Sequence, residues 1–161
     1  MPNVQSVIFL LAATLATGCE RERTPPSTAI SQSGTAQQEA ISRIGDVSIR
    51  ASVVPMARIS EAVAAQYGIE RDKDSVLLLV GVRQGPEAQE TALPAELIAT
   101  VTDLRGVSQR LAMREVRTGN LIDYVGTAKM SAPDTLRFDL VVVREGGARS
   151  SMQFTRDVFA Q

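Results

Sequence analysis

A regular alternation of apolar and polar residues constrains this chain most. In one segment four apolar residues alternate with polar ones: Val47, Ile49, Ala51 and Val53. A second segment repeats the pattern with Leu136, Phe138, Leu140 and Val142. Successive side chains of a β-strand point to opposite faces of the sheet, so this period indicates strands with one buried and one wetted face.

About seven segments have strand character, and short links that contain Gly or Asn join several of them. They are 47–53, 75–83, 95–102, 108–116, 121–128, 135–143 and 150–159. Residues 75–83 are apolar on both alternations, which predicts a central strand covered on both faces. The Ala-rich segment 59–68 predicts one short helix, begun by Ser60 and ended by Gly68.

These elements predict an all-β fold. Short turns, many strands and one small helix fit an antiparallel β-sandwich over residues 44–161 best. A barrel is the alternative, because the same pattern also suits a sheet that closes on itself.

Composition excludes several function classes. The sequence has no His, so it lacks imidazole for a Ser-His-Asp system or a metal site. Its net charge of −1 lacks the basic excess that binds phosphates, and it has no Trp, so nucleic acid is not an expected partner. The only cysteine, Cys19, has no internal disulfide partner.

The N-terminal segment is typical of an exported protein. Residues 7–16 form an apolar run of the length of a signal-peptide core, and the run is shorter than the roughly 20 residues of a membrane span. The sequence that follows, 15–19, resembles the lipobox of bacterial lipoprotein precursors. That resemblance implies cleavage between Gly18 and Cys19 and a lipid on Cys19. A plain signal peptide is the alternative, and the lack of Lys or Arg in residues 1–6 suits a start codon farther upstream.

The predicted organisation is therefore a signal peptide (1–18), a lipidated cysteine with a flexible tether (19–43) and the sandwich (44–161). The tether prediction rests on a polar composition rich in Ser, Thr and Gln. As a coil it would span roughly 25–30 Å. Glu20, rather than Asp, follows Cys19, and similarity to lipoprotein sorting rules implies transfer to the outer membrane.

Four segments resemble the domain-of-unknown-function 4426 family: 62–69, 123–126, 135–139 and 145–147. The resemblance implies a small exported protein of Gram-negative bacteria with an immunoglobulin-like β-sandwich. It brings no known activity and no catalytic residues. The family's first strand usually carries Tyr, His and Asn where this chain has 48–54, so any ligand contact of those residues is not carried over.

Charged and aromatic residues outside the core receive structural interpretations. Glu70, Asp72 and Asp74 share one loop, but Arg71 and Lys73 repel a cation, so we expect a solvated turn and no metal site.

Cross-strand ion pairs are expected from Arg114, Glu115 and Arg117, with recognition of an acidic partner as the alternative. Tyr67 and Tyr124 are expected to pack their rings and bond backbone carbonyls. The segment 145–147 is expected to form a hairpin turn.

The sequence thus predicts a module without enzymatic activity or cofactor, anchored by Cys19 to the periplasmic face of the outer membrane. Its expected partners are the membrane, through the lipid, and another envelope protein. Two alternatives stay open: a soluble periplasmic protein, and a small-ligand carrier with a pocket between the sheets. No binding residues are assigned.

Overall fold

Ten strands and one α-helix follow one another over residues 39–159, the part of the chain that the computed structural model describes. The strands are β1 (Ala40–Ile44), β2 (Val47–Pro55), β3 (Ser75–Gln84), β4 (Thr91–Ala92), β5 (Ala95–Thr102), β6 (Ser108–Leu111), β7 (Arg114–Thr118), β8 (Leu121–Lys129), β9 (Asp134–Arg144) and β10 (Arg149–Val158). The helix α1 is Glu61–Tyr67. Single 3₁₀ turns cover Met56–Arg58, Glu87–Gln89 and Glu145–Gly147.

The strands form two antiparallel sheets. Six strands lie in one sheet in the order β1-β2-β3-β8-β7, with β4 beside the end of β3, and four lie in the other in the order β10-β9-β5-β6. This arrangement confirms the prediction of a mostly β, sandwich-like fold with one short helix after the strand that begins at Val47.

Three strands, β6, β7 and β1, differ from the sequence-based boundaries. The segment 108–116 is divided at Ala112 and Met113, so that β6 joins the four-stranded sheet and β7 the six-stranded sheet. No Gly or Pro marks this crossing, which is why the alternation suggested one strand. In addition, β1 pairs Ala40 with Ala51 and Ile44 with Val47, so strand structure begins inside the segment assigned to the tether.

The inner faces of the two sheets form the main core. Both predicted alternations are confirmed, since their apolar members are buried: Val47, Ile49, Ala51, Val53, Leu136, Phe138, Leu140 and Val142. Phe138 is fully buried and stacks on Phe154 of β10 with ring centroids 5.1 Å apart. Large side chains therefore fill the space between the sheets.

A second, smaller core covers the outer face of β3. Met56, Ile59 and Ala64 pack there against Leu77 of β3 and Val125 of β8. The helix that supplies this cover has the predicted ends, because the Ser60 hydroxyl accepts from the Val63 N–H and Gly68 adopts a left-handed φ of 57°. The first half of β3 is thus buried on both faces, as its apolar sequence predicts.

The two faces of β9 provide a test of the register. Phe138→Ala would remove a fully buried ring and is expected to cost about 3–5 kcal/mol of unfolding free energy. Arg137→Ala removes only a half-exposed pair with Asp139 and should cost less than about 1 kcal/mol. Urea melts of both variants measure the difference, and similar costs would contradict the facing of β9.

Candidate functional site

The outer face of the six-stranded sheet is polar beyond the area that α1 covers. Three strands contribute residues there at outward positions that lie side by side: Arg50 on β2 is opposite Gly81 on β3, which is opposite Asp123 on β8. Arg83 of β3 is opposite Ser48 of β2. Charged side chains thus replace the apolar ones at the second half of β3.

Arg83 and Asp123 form a tight ion pair across this face. The Nη2 atom of Arg83 lies 2.5 Å from Oδ1 of Asp123, and the side chains are only 13% and 19% exposed. Nη1 of Arg83 also donates to the backbone carbonyls of Ile122, at 2.7 Å, and Val82, at 3.2 Å. The guanidinium is therefore fixed in orientation and largely withdrawn from water.

Arg50 is surrounded by carboxylates from outside its own strand. Its Nη2 donates to Oε1 of Glu90 at 2.6 Å and lies 3.7 Å from Oε1 of Glu87, while Nη1 is 4.0 Å from Glu39. The Ser48 hydroxyl donates to Glu90 as well, at 3.4 Å. Nε of Arg50 is buried and has no hydrogen-bond partner, so one donor of this guanidinium is unused.

Gly81 leaves room between the two arginines. A Cβ at this position would lie 3.1 Å from Cζ of Arg83, so any larger residue would push the guanidinium aside. The resulting cavity of about 250 Å³ has Leu79 and Gly81 as its floor and is lined by Glu39, Arg50, Ser52, Arg83 and Asp123. We call this cavity the charged cleft.

The charged cleft offers hydrogen-bond donors and acceptors of both charges within one small space. Guanidinium groups present a fixed fork of donors, and carboxylates accept from cationic or amide groups. Ser52 adds a hydroxyl. Such a lining suits a polar segment of a partner or a small zwitterionic group, and it contains no nucleophile paired with a base.

The acidic loop before β3 is a structural turn. Asp72 accepts hydrogen bonds from the Lys129 ammonium, from the Asp74 N–H at 3.0 Å and from the Ser75 hydroxyl at 2.8 Å. The bond from Lys129, followed by those from Asp74 and Ser75, lowers the pKa of Asp72 to about 2. The carboxylate thereby holds the loop against the end of β8.

The charged residues of β7 do not form the predicted ladder across strands. Arg117 pairs with Glu115 of the same strand, with Nε and Oε1 2.5 Å apart. Arg114 donates to the carbonyl of Tyr67 at the end of α1. Alternate residues of one strand share a face, and on this edge strand the nearest partners lie along the chain or in the helix.

Tyr124 packs its ring in the core, as predicted, but its hydroxyl bonds differently. The oxygen accepts from the backbone N–H of Ala95 at 2.7 Å and donates to Glu115 at 3.4 Å. Burial is the main cause that raises the pKa of this hydroxyl. The bond to β5 therefore ties the two sheets together at this point.

The turn at Glu145–Gly147 is confirmed. Gly146 and Gly147 have φ angles of 78° and 80°, and the Arg144 N–H donates to the Ala148 carbonyl at 2.9 Å. Positive φ angles favour Gly, and this segment connects β9 to β10 as a hairpin turn.

The predicted lipid attachment at Cys19 and the cleavage site after Gly18 lie outside the described residues. Within residues 39–159 no helix is long and apolar enough to cross a bilayer.

The ion pair at the charged cleft can be tested against an exposed pair. Asp123→Ala would leave the Arg83 guanidinium largely buried with only carbonyl partners, and we expect a cost of about 2–3 kcal/mol in unfolding free energy. Asp139→Ala removes a half-exposed pair with Arg137 and an exposed hydrogen bond from Gln153 on the other sheet, and it should cost less than about 1 kcal/mol. Equal shifts in urea midpoints would contradict the burial of the Arg83 pair.

The fold has relatives among solved structures. PA0388, a DUF4426 family protein from Pseudomonas aeruginosa, superposes with a TM-score of 0.65 at 22% identity, over 76% of this chain and 96% of that one. Two structures of FetP from uropathogenic Escherichia coli strain F11 also match over 76% of this chain. A copper-bound FetP variant gives a TM-score of 0.52 at 11% identity over 95% of its own chain. FetP expressed in the periplasm gives 0.53 at 9% over 94%.

Comparison with curated proteins gives no match. The family model for the domain of unknown function DUF4426, in contrast, matches residues 41–161, which include all of the sheet structure except the first residue of β1. Because this match covers more than half of the sequence, the chain belongs to the DUF4426 family.

Proposed function

We propose that this protein is a non-catalytic binding or structural module of the Gram-negative envelope, anchored through Cys19 to the periplasmic face of the outer membrane. The lipobox-like sequence before Cys19 supports the anchor. The likeness to FetP, which has been expressed in the periplasm, supports the compartment.

The charged cleft is the observation that carries the binding role. Pairs of charges withdrawn from water contribute little net stability, because desolvation offsets much of their attraction, and apolar residues often replace them without loss. On the same sheet face, Leu77 and Val125 are apolar and covered by α1. We infer that Arg50, Arg83 and their carboxylates serve recognition of an envelope partner.

A carrier role with a pocket between the sheets is not favoured. Fully buried side chains occupy that space, among them Ile49, Leu78 and Phe138. The charged cleft lies on the outer face of one sheet, where a partner can reach it directly.

One observation supports a non-catalytic role. The sequence has no His to act as a base near neutral pH.

We do not extend the copper of the FetP variant to this protein. The sequence lacks His, and residues 39–159 hold no group of three or more His, Cys, Asp or Glu side chains placed to bind a metal ion. Imidazole and carboxylate ligands therefore give no support for a copper site in this part of the chain.

The order of the strands supports an immunoglobulin-like topology. Strands β2-β3-β8-β7 correspond to A-B-E-D of that fold, and β10-β9-β5-β6 correspond to G-F-C-C′. Domains of this architecture commonly serve recognition through their surfaces, although the fold alone does not assign a partner.

The anchor is tested by metabolic labelling. Radiolabelled palmitate should enter the wild-type protein and not the Cys19→Ser variant, since the thiol carries the lipid. Sucrose-gradient fractionation should place the labelled protein with the outer membrane. Equal labelling of both proteins would exclude the anchor, and recovery with the inner membrane would exclude the assigned location.

The binding role is tested by filling the charged cleft. Ser52→Gln places a longer side chain in the cleft without removing an ion pair, and Thr100→Gln makes a matched change on the outer face of the other sheet. Both should keep stability within about 0.5 kcal/mol. Formaldehyde crosslinking in intact cells should yield a partner adduct with wild type and Thr100→Gln, and lose it with Ser52→Gln. Unchanged adducts in Ser52→Gln would contradict this surface.

A further inference from the structure

Three apolar side chains protrude at one end of the sandwich. Leu104 and Val107, in the link between β5 and β6, are 73% and 54% exposed, and Phe159, directly after β10, is 67% exposed. We call these three residues the apolar tip. Large apolar residues that are exposed at one end of a domain mark a candidate interaction surface.

Backbone pairing shows that the three residues share one end. The Leu104 N–H donates to Oδ1 of Asp134, the first residue of β9, at 3.2 Å. Asp134 is paired with Val158 of β10, and Phe159 is the next residue. Leu104 and Phe159 therefore lie on either side of Asp134.

Hydrogen bonds within the loop order the segment that carries Leu104 and Val107. Oδ1 of Asp103 accepts from the N–H groups of Arg105, at 3.0 Å, and Val107, at 2.8 Å, and Oδ2 pairs with the Arg105 guanidinium at 2.8 Å. Gly106 supplies a φ of 83° in the same loop. Because the loop is already ordered, docking through it requires little additional ordering of the chain.

The N-terminal strand points toward the same end. Strand β1 is antiparallel to β2, with Ala40 opposite Ala51 and Ile44 opposite Val47, so the Ala40 end of β1 is the one nearer to Pro55. Pro55 is opposite Val76, near the start of β3. Gln109 of β6 bonds both the N–H and the carbonyl of Lys129 at the end of β8, which joins this end of the two sheets.

The segment between Cys19 and β1 is short enough to keep the domain near a bilayer to which Cys19 is attached. Twenty residues, 20–39, separate Cys19 from β1, and a chain of this length spans at most about 70 Å when fully extended. A lipid on Cys19 would hold the domain close to the membrane surface, within reach of the apolar tip.

We propose that the apolar tip inserts into the interfacial region of the phospholipid bilayer to which the protein is anchored. This inference rests on the proposed lipid anchor, which supplies the local concentration that three apolar side chains alone lack. The Arg105 charge at the loop is paired with Asp103, so zwitterionic lipid suffices. A protein partner needs about 800 Å² on each side, and protruding residues on separate segments do not provide such a surface.

The absence of Trp from the sequence makes the test direct. Leu104→Trp places a single fluorophore at the apolar tip. Leu121→Trp places a matched one at the start of β8, beside the β7–β8 turn, where Leu121 is 50% exposed at the opposite end. The chain from Cys19 onward is coupled through its only thiol to a maleimide phospholipid in phosphatidylcholine vesicles. Brominated acyl chains in the vesicles then quench any inserted Trp.

For Leu104→Trp we expect the Trp fluorescence to shift to the blue and the brominated lipid to quench most of its intensity. For Leu121→Trp we expect neither change. Phe159→Trp provides a second probe of the apolar tip if circular dichroism shows that Leu104→Trp does not fold. In the Phe159→Trp background, Leu104→Ser with Val107→Ser should restore emission. Since the coupling is chemical, this test does not depend on whether cells attach lipid to Cys19.

Three outcomes would overturn the proposal. No quenching of either probe at the tip would show that the tip stays in water. Equal quenching of Leu104→Trp and Leu121→Trp would show that the domain has no preferred end. A blue shift that increases with protein density on the vesicle, without quenching by bromine, would assign the apolar tip to contact with a second copy of the chain.

Discussion

The burial of β3 on both faces is the constraint on which the rest of this structure depends. Its inward residues meet the four-stranded sheet, while its outward residues need separate cover because β2 and β8 pair only along its edges. The segment between β2 and β3 provides that cover through Met56, Ile59 and α1. The cover ends where the outward residues change from Leu77 and Leu79 to Gly81 and Arg83. The charged cleft therefore begins where the helix stops protecting the strand.

The charged cleft differs from the surface ion pairs of the same protein in its exposure and in the number of partners of each group. Arg137 and Asp139 are about half exposed, so water and salt screen their attraction, whereas Arg83 is held by two carbonyls and a carboxylate. A fixed and poorly solvated guanidinium gains more from a well-placed partner group than a solvated one does, because its desolvation has already occurred. This preorganisation links the local geometry to the proposed recognition of an envelope component.

Structure that depends on a local pattern could be predicted from the sequence. Structure that depends on contacts between distant residues could not. The period of two placed Phe138 in the core, and Ser60 and Gly68 marked the ends of α1, because these signals lie within a few neighbouring residues. The crossing between β6 and β7 carries no turn residue. The charged cleft joins Arg50 to Glu90 and Arg83 to Asp123, each pair 40 residues apart, so it depends on strand register that alternation alone does not give.

The charged cleft and the apolar tip lie toward opposite ends of the sandwich. Strand β3 runs from Ser75, paired with Lys129 at the end that carries the apolar tip, to Gln84 at the opposite end. Gly81 and Arg83 lie near the second end, as do Asp123 near the start of β8 and Ser48 near the start of β2. A domain that rests on the bilayer through Leu104 and Phe159 would hold the charged cleft away from the membrane, open toward the periplasmic space. Lipid contact and recognition would then use separate surfaces, and neither would block the other.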